Sequence, residues 1–301
     1  MPAESTSRTP FGRVLTAMVT PMAADGALDE AGVQSLAGFL VDSGNDGLVV
    51  SGTTGESPTT TDDEKDRLLR AVVEAVGDRA NVVAGVGTND TAHTIELAQQ
   101  AEKAGATGLL LVTPYYSKPP QVGLLEHFRR AADATGLPVM LYDIPGRAGV
   151  PIATDTLLRL AEHERIVAVK DAKGDLYETA RVLAGTDLAI YSGEDALNLA
   201  LLAIGAVGMV SVVGHVCADR YAAMVRAVDA GDLAAARQIN AALLPAVRGI
   251  MTRTQGAIMV KAALQLLGVL ATRTTRLPLV DATDDQVAVL RQDLVDAGLR
   301  L

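Results

Sequence analysis

Ile166-Val167-Ala168-Val169-Lys170-Asp171-Ala172 is apolar without interruption until it reaches a lysine. A strand with one face in water alternates apolar and polar residues, whereas an unbroken apolar run is what a parallel strand covered on both faces requires. Seven further runs of this character, at residues 14–20, 47–52, 81–87, 108–116, 138–145, 188–193 and 208–213, bring the number to eight. Segments with helical spacing lie between them. The clearest is 61–76, where Leu68, Leu69, Val72, Val73 and Val76 form one stripe and Thr61 and Glu64 have the spacing of a capping box. Similar helices are expected near 30–41, 91–104, 123–134, 155–161, 176–183, 195–204 and 219–229. Eight βα units in succession imply an α/β fold closed into a (β/α)8 TIM barrel rather than an open doubly wound sheet. Beyond residue 232 the pattern is helical throughout, with stripes such as Leu243, Val247, Ile250 and Ile258, Ala262, Leu266. The expected organisation is a flexible N-terminus at 1–11, a barrel at 12–231 and a C-terminal helical region at 232–301.

A chain of 301 residues that is 49% hydrophobic and 21% charged can bury a large core. Its formal net charge of -10 would be repelled by nucleic acid and by an anionic membrane, so neither is an expected partner. No run approaches the ~18 apolar residues of a membrane span. Residues 1–10 lack the apolar core of a signal peptide, and the single cysteine, Cys217, rules out an internal disulfide, so a cytoplasmic compartment is expected. Cys217 stands between Val216 and Ala218, which suits a buried structural thiol better than a nucleophile. The four histidines are scattered, and no metal site is implied. Gly85 and Gly87 lack the further glycine and the acidic residue of a dinucleotide fingerprint, so a nicotinamide site is discounted.

In a barrel of this kind the site gathers at the C-terminal ends of the strands, whatever the chemistry. Lys170 ends so apolar a strand that it must either reach out to water or sit partly desolvated in the barrel mouth. Desolvation lowers the pKa of an amine and makes it a nucleophile near neutral pH. A lysine that forms a Schiff base needs a proton shuttle, because carbinolamine dehydration and enamine formation both move protons. Tyr142, in the neighbouring strand and turned inward by alternation, could supply it; it could equally be a packed core tyrosine. Gly52-Thr53-Thr54-Gly55 offers hydroxyls and close backbone N–H groups suited to a carboxylate, or is an ordinary glycine-rich turn. Arg147, in a loop after Pro145-Gly146, offers a planar fork of donors for a second carboxylate, although most loop arginines are merely solvated.

Four motifs in order, Gly52-Thr53-Thr54-Gly55-Glu56, Pro114-Tyr115-Tyr116-Ser117-Lys118-Pro119, Tyr142-Asp143-Ile144-Pro145-Gly146-Arg147 and Val169-Lys170-Asp171-Ala172, closely resemble the dihydrodipicolinate synthase and N-acetylneuraminate lyase family of pyruvate-dependent class I aldolases. The resemblance runs from about Gly12 to the C-terminus. The threonine pair and Arg147 look like the synthase branch, and the wording Lys170-Asp171-Ala172-Lys173 is similar to its actinobacterial members. The resemblance implies that Lys170 forms a Schiff base with pyruvate and that Tyr142 shuttles protons, in a relay completed by Thr53 and Tyr116. Thr54, Gly193 and the backbone of Val210 would hold pyruvate, and Arg147 would hold the carboxylate of aspartate semialdehyde. Cyclisation would release 4-hydroxytetrahydrodipicolinate, on the way to diaminopimelate and lysine. No cofactor is implied. The position of Tyr116 reaches into a neighbouring subunit in relatives, which implies a homotetramer built from dimers.

Two other readings stand beside this one. Another pyruvate-dependent aldolase or a sugar-acid dehydratase would keep Lys170 and Tyr142 and differ in its aldehyde. A non-catalytic binding barrel would have lost a catalytic residue, and none is lost. The resemblance also bears on regulation. Lysine-inhibited relatives carry a glutamate and two histidines in a pocket at the subunit interface; here the glutamate's position is His93, and the histidine positions are Asp62 and Lys65. Ser57, Asn89 and Tyr115 still match, so weak or absent inhibition by L-lysine is expected.

Overall fold

Parallel strands that are apolar on both faces must be covered on both, and closing the sheet into a cylinder covers one of them with its own side chains. A computed structural model describes residues 9–301 of the chain. Its strands are β1 (Val14–Ala17), β2 (Gly47–Val50), β3 (Asn81–Gly85), β4 (Gly108–Val112), β5 (Val139–Asp143), β6 (Ile166–Asp171), β7 (Ala189–Ser192) and β8 (Gly208–Ser211). They pair in chain order, all parallel, and β8 returns to β1 through Leu15 opposite Val210. Among the described residues these are the eight strands that the apolar runs predict.

Each strand stops short of its run. Val19 stays fully buried although the β1 ladder ends at Ala17, and the fourth run extends to 116 whereas β4 ends at Val112. Val19, Thr113 and Pro114 stay buried beyond the ladder, so burial and apolar character outlast the strand pairing, whereas Tyr115 and Tyr116 are exposed. Tyr115 and Tyr116, expected at the end of the fourth strand, therefore lie in the following loop, with Tyr116 at a φ of 75°.

Helices α1 (Glu30–Asp42), α2 (Asp62–Val76), α3 (Thr91–Lys103) and α4 (Gln121–Asp133) follow the first four strands. A single turn, α5 (Pro145–Ala148), precedes α6 (Thr154–Leu160), and α7 (Leu176–Gly185), α8 (Asn198–Ile204) and α9 (Gly214–Asp229) complete the ring. The capping box of α2 is formed: Glu64 N donates to the Thr61 hydroxyl at 3.2 Å, and Thr61 N donates to the Glu64 carboxylate at 2.9 Å. Helix α9 starts before the expected 219, because its first turn is buried apolar sequence bent at Cys217, whose φ is -140°. Beyond the ring come α10 (Leu233–Val247), α11 (Gly256–Leu266) and α12 (Asp284–Asp296).

The side chains sort into two layers. Val14, Leu48, Val82, Leu109, Leu141 and Val169 face the helices, while Leu15, Val49, Val83, Leu110, Met140, Ala168, Ala189 and Val210 fill the interior. The lower end of the interior is plugged by Phe11, which is 0% exposed and whose N–H donates to the Tyr191 hydroxyl at 3.2 Å. Of the N-terminal segment expected to be flexible through residue 11, residues 1–8 lie outside the described residues, and Phe11 is part of the core.

Candidate active site

The direction of Lys170 is set by an irregularity in the ladder. Val139 pairs with Ile166, both facing the helices, but Met140 pairs with Ala168, both facing the interior, so Val167 is an extra residue in β6. Alternation alone would give residues 166, 168 and 170 one common direction; the bulge reverses it after Ile166 and turns Lys170 into the barrel. Tyr142 and Lys170 then stand directly opposite each other. The Lys170 amine lies 4.1 Å from the centre of the Tyr142 ring. Each of the two residues is 5% exposed.

Burial pushes the Lys170 amine down to about 7, and the nearby charge of Arg147 acts in the same direction against the opposing pull of Asp195 and Glu194. Burial raises the Tyr142 phenol to about 12, with Arg147 working to lower it and Glu194 to raise it. At neutral pH the site therefore holds a partly neutral amine beside a protonated phenol. Gly193 makes the close fit possible, since a Cβ there would lie 2.9 Å from Cγ and 3.1 Å from Cε of Lys170.

The second structural support is the loop after β2. Two non-glycine residues in left-handed conformation bracket it, Ser51 at φ 58° and Glu56 at φ 57°, each costing on the order of 1 kcal/mol or more. The Gly55 carbonyl accepts from the Thr20 hydroxyl at 2.7 Å. Thr53 lines a cavity of about 580 Å³ that Tyr115, Tyr116, Tyr142 and Arg147 also line. Arg147 was expected in a loop and is instead on α5: Pro145 presets its first turn, and Gly149, at φ 82°, ends it with its N–H on the Pro145 carbonyl. The turn leaves the guanidinium exposed at the cavity wall.

Of the sequence-predicted residues, Thr53, Tyr116, Tyr142 and Arg147 thus share the cavity. Lys170 joins them through the face of Tyr142, and Gly193 through Lys170. Thr54 and Val210 are buried and lie off the cavity wall. Among the described residues no hydrogen bond joins Thr53, Tyr116 and Tyr142, and Tyr116 is 89% exposed.

Sequence reading missed the counter-charges. Asp195, directly after Gly193-Glu194, is buried and accepts from the Ser211 hydroxyl, from Asn198 at 3.1 Å and from the N–H groups of Val212 and Val213 at 2.9 Å each. Behind the bulged strand, Asp143 pairs with Lys173 at 3.5 Å; burial raises its carboxyl to about 6, moderated by the Ile152 N–H and Lys173. Acidic residues at the end of the seventh run were the available signal. Of the groups expected to be inert, His215 donates through Nδ1 to the Val212 carbonyl at 2.7 Å and accepts from Val19 N at 3.1 Å, and burial raises the Cys217 thiol to about 12, whereas the buried Nε2 of His127 has no partner among the described residues. Among the described residues no cluster of metal-ligating side chains forms, and no helix is long and apolar enough to cross a membrane.

Fold and mouth together define a (β/α)8 barrel with a desolvated lysine facing a tyrosine across one strand pair. The sequence model of the dihydrodipicolinate synthetase family matches residues 10–297. The 4-hydroxy-tetrahydrodipicolinate synthases of Kineococcus radiotolerans and Acidothermus cellulolyticus are 69% and 68% identical, covering 96% of this chain in each case and 94% and 93% of the relative. The crystal structure of the synthase from Cyanidioschyzon merolae with lysine bound is 42% identical, with a TM-score of 0.94 over 97% of this chain and all of that one. The chain belongs to the dihydrodipicolinate synthetase family.

Burying the amine has a consequence for stability. Its folded pKa of about 7 lies below the ordinary 10.5. Between these values the unfolded chain binds a proton that the folded chain does not, so stability rises with pH across that window, and the full penalty applies below it. Lys170→Met removes a penalty on the order of a few kcal/mol. Urea unfolding should find this variant more stable than the parent at pH 6, with the margin shrinking toward pH 10. A margin that is constant with pH, or reversed, would contradict the burial of a neutral amine.

Proposed function

We propose that this chain is a class I aldolase that condenses pyruvate with L-aspartate 4-semialdehyde to give 4-hydroxy-tetrahydrodipicolinate, a step of diaminopimelate and lysine biosynthesis, with no external cofactor. The observation that carries the reading is the Lys170 amine, brought to about 7 by burial and set against the Tyr142 ring. A neutral amine attacks the pyruvate ketone, and the carbinolamine loses water as the Tyr142 phenol gives up its proton to the departing hydroxyl. The Tyr142 phenolate then takes a methyl proton to form the enamine, whose carbon adds to the aldehyde as that proton passes to the aldehyde oxygen. Attack of the substrate's own amino group on the imine carbon closes the ring and frees Lys170. In this reading Thr53 and a neighbouring subunit's copy of Tyr116 relay protons with Tyr142, which is why the exposed Tyr116 fits a homotetramer built from dimers. Thr54, Gly193 and the Val210 backbone hold the pyruvate.

Borohydride reduction in the presence of pyruvate tests the covalent step. The mass of the reduced adduct should appear on the peptide containing Lys170, with activity lost; a label on another residue, or an active Lys170→Ala variant, would sink the reading. Substitution tests the second substrate. Arg147 faces the cavity with its charge free of any carboxylate among the described residues, so Arg147→Ala should raise KM for the semialdehyde far more than for pyruvate, with a loss of about 2 kcal/mol in kcat/KM. Equal effects on both substrates would reject this role.

Inhibition by L-lysine should be weak. In the cavity the Asp62 carboxylate meets His93 at 2.9 Å and Lys65 at 3.4 Å. Burial works to raise that carboxyl, but His93 and Lys65 outweigh it and hold it below its ordinary value. Among the described residues, the one carboxylate lining the cavity is thus already engaged by His93 and Lys65. Titration at subsaturating pyruvate should give half-inhibition only above about 1 mM, and inhibition at lower concentration would refute this.

A further inference from the structure

Lys170 is not the only lysine held out of water. Lys261, in the middle of α11, is 1% exposed, and its amine donates to the carboxylate of Glu56, which is 2% exposed and 205 residues away in the chain. The same amine donates to the Thr274 carbonyl at 2.7 Å, and the other Glu56 oxygen accepts from Arg276 N at 2.8 Å. The Arg276 guanidinium is turned away to Glu64, at 2.6 and 2.7 Å, and to the carbonyls of Thr59 and Gly26. Unlike Lys170, Lys261 has a carboxylate partner, and it does not line the cavity.

A buried ion pair is a poor device for stability alone, because desolvation consumes most of its Coulombic gain, while removing one partner leaves a buried charge without compensation. Its position here gives it a different use. Glu56 closes the strained loop that carries Thr53 and Thr54; its N–H bonds to the Thr53 carbonyl at 3.1 Å, and Ser57 N bonds to the Gly52 carbonyl at 3.3 Å. Left-handed backbone at Glu56 has to be held by its surroundings, and among the described residues the one side chain that holds the Glu56 carboxylate, beside the Arg276 N–H, comes from α11.

We propose that Lys261 is a positioning residue for the pyruvate-facing loop, clamping residues 51–57 through the Glu56 carboxylate so that the C-terminal helices fix Thr53 and Thr54 at the barrel mouth. This rests on the assignment of that loop to pyruvate. Amide exchange of residues 51–57, read by mass spectrometry on the intact protein, reports the clamp without any substrate. Kinetics report its consequence.

Lys261→Met should accelerate exchange in 51–57 while leaving β5 and β6 protected. It should also raise KM for pyruvate and lower kcat by about 100-fold, the scale of a roughly 1 Å misplacement, with KM for the aldehyde little changed. The neutral pair Glu56→Gln with Lys261→Met should regain stability to urea, because no charge is left buried alone, while its loop exchange stays fast and its kcat stays low because the clamp is still missing. Should the single variant fail to fold, Glu56→Gln alone serves, since Lys261 can shed its proton; loop exchange should then rise. Parental loop exchange in a folded variant overturns the proposal, as does a doubly substituted protein with parental kcat. If the exchange behaves as expected but the parent itself fails to condense pyruvate with the semialdehyde, the clamp stands and the assignment of function falls.

Discussion

The bulge at Val167 is the constraint on which the mouth of this barrel depends. Side chains in a strand alternate strictly, so one residue of slip exchanges the inner and outer sets of everything that follows. With Ile166 against the helices, an unbroken β6 would place Lys170 among the helices and Asp171 inside. The inserted residue reverses this and puts the amine opposite Tyr142. It also sends Asp171 outward, where Thr179 receives it, on the same side of the sheet as Asp143, which alternation along β5 already turns toward Lys173. Carboxylates one residue from the amine and the phenol are thereby kept on the far side of the sheet, where they do not form the ion pair that would hold Lys170 protonated.

What remains around the amine is a balance of burial and distant charge. Burial and Arg147 depress the Lys170 pKa, while Glu194 and Asp195 oppose them. Asp195 is spent on four donors that close the loop after β8, so its negative charge is spread over bonds to Ser211, Asn198, Val212 and Val213 before any of it reaches the site. The position of the balance near neutrality is a property of the whole rim and of no single contact.

The barrel was legible because its information is local. Eight unbroken apolar runs separated by helical stripes specify parallel strands, and Thr61 with Glu64 announces a helix start within four residues. The ends of the strands were not legible, since Met18 and Val19 or Pro114 and Tyr115 are as apolar in the rim as in the ladder. Four of the eight candidate site residues, Thr53, Tyr116, Tyr142 and Arg147, share the cavity wall, and Lys170 and Gly193 pack behind it. The Glu56–Lys261 pair was out of reach of the sequence. Glu56 reads as the polar end of a turn and Lys261 as one cation in a helix otherwise apolar through Leu264, and only the fold brings together residues 205 apart.

The charge on Arg147 also constrains the order of events under the proposed roles. While the guanidinium is free, it helps keep the buried amine neutral, which favours attack on a ketone. Binding the semialdehyde's carboxylate would cancel part of that field and shift Lys170 toward the ammonium, which cannot attack. Once the imine has formed, nitrogen basicity no longer limits the reaction in the same way, and neutralising Arg147 carries little penalty. The arrangement therefore favours pyruvate entering before the aldehyde. Under the proposed roles one guanidinium would act on the nucleophile in the first half of the reaction and on the acceptor in the second, and its place on the short helix α5, at the cavity wall and within electrostatic range of both Tyr142 and Lys170, is what would allow it to do so.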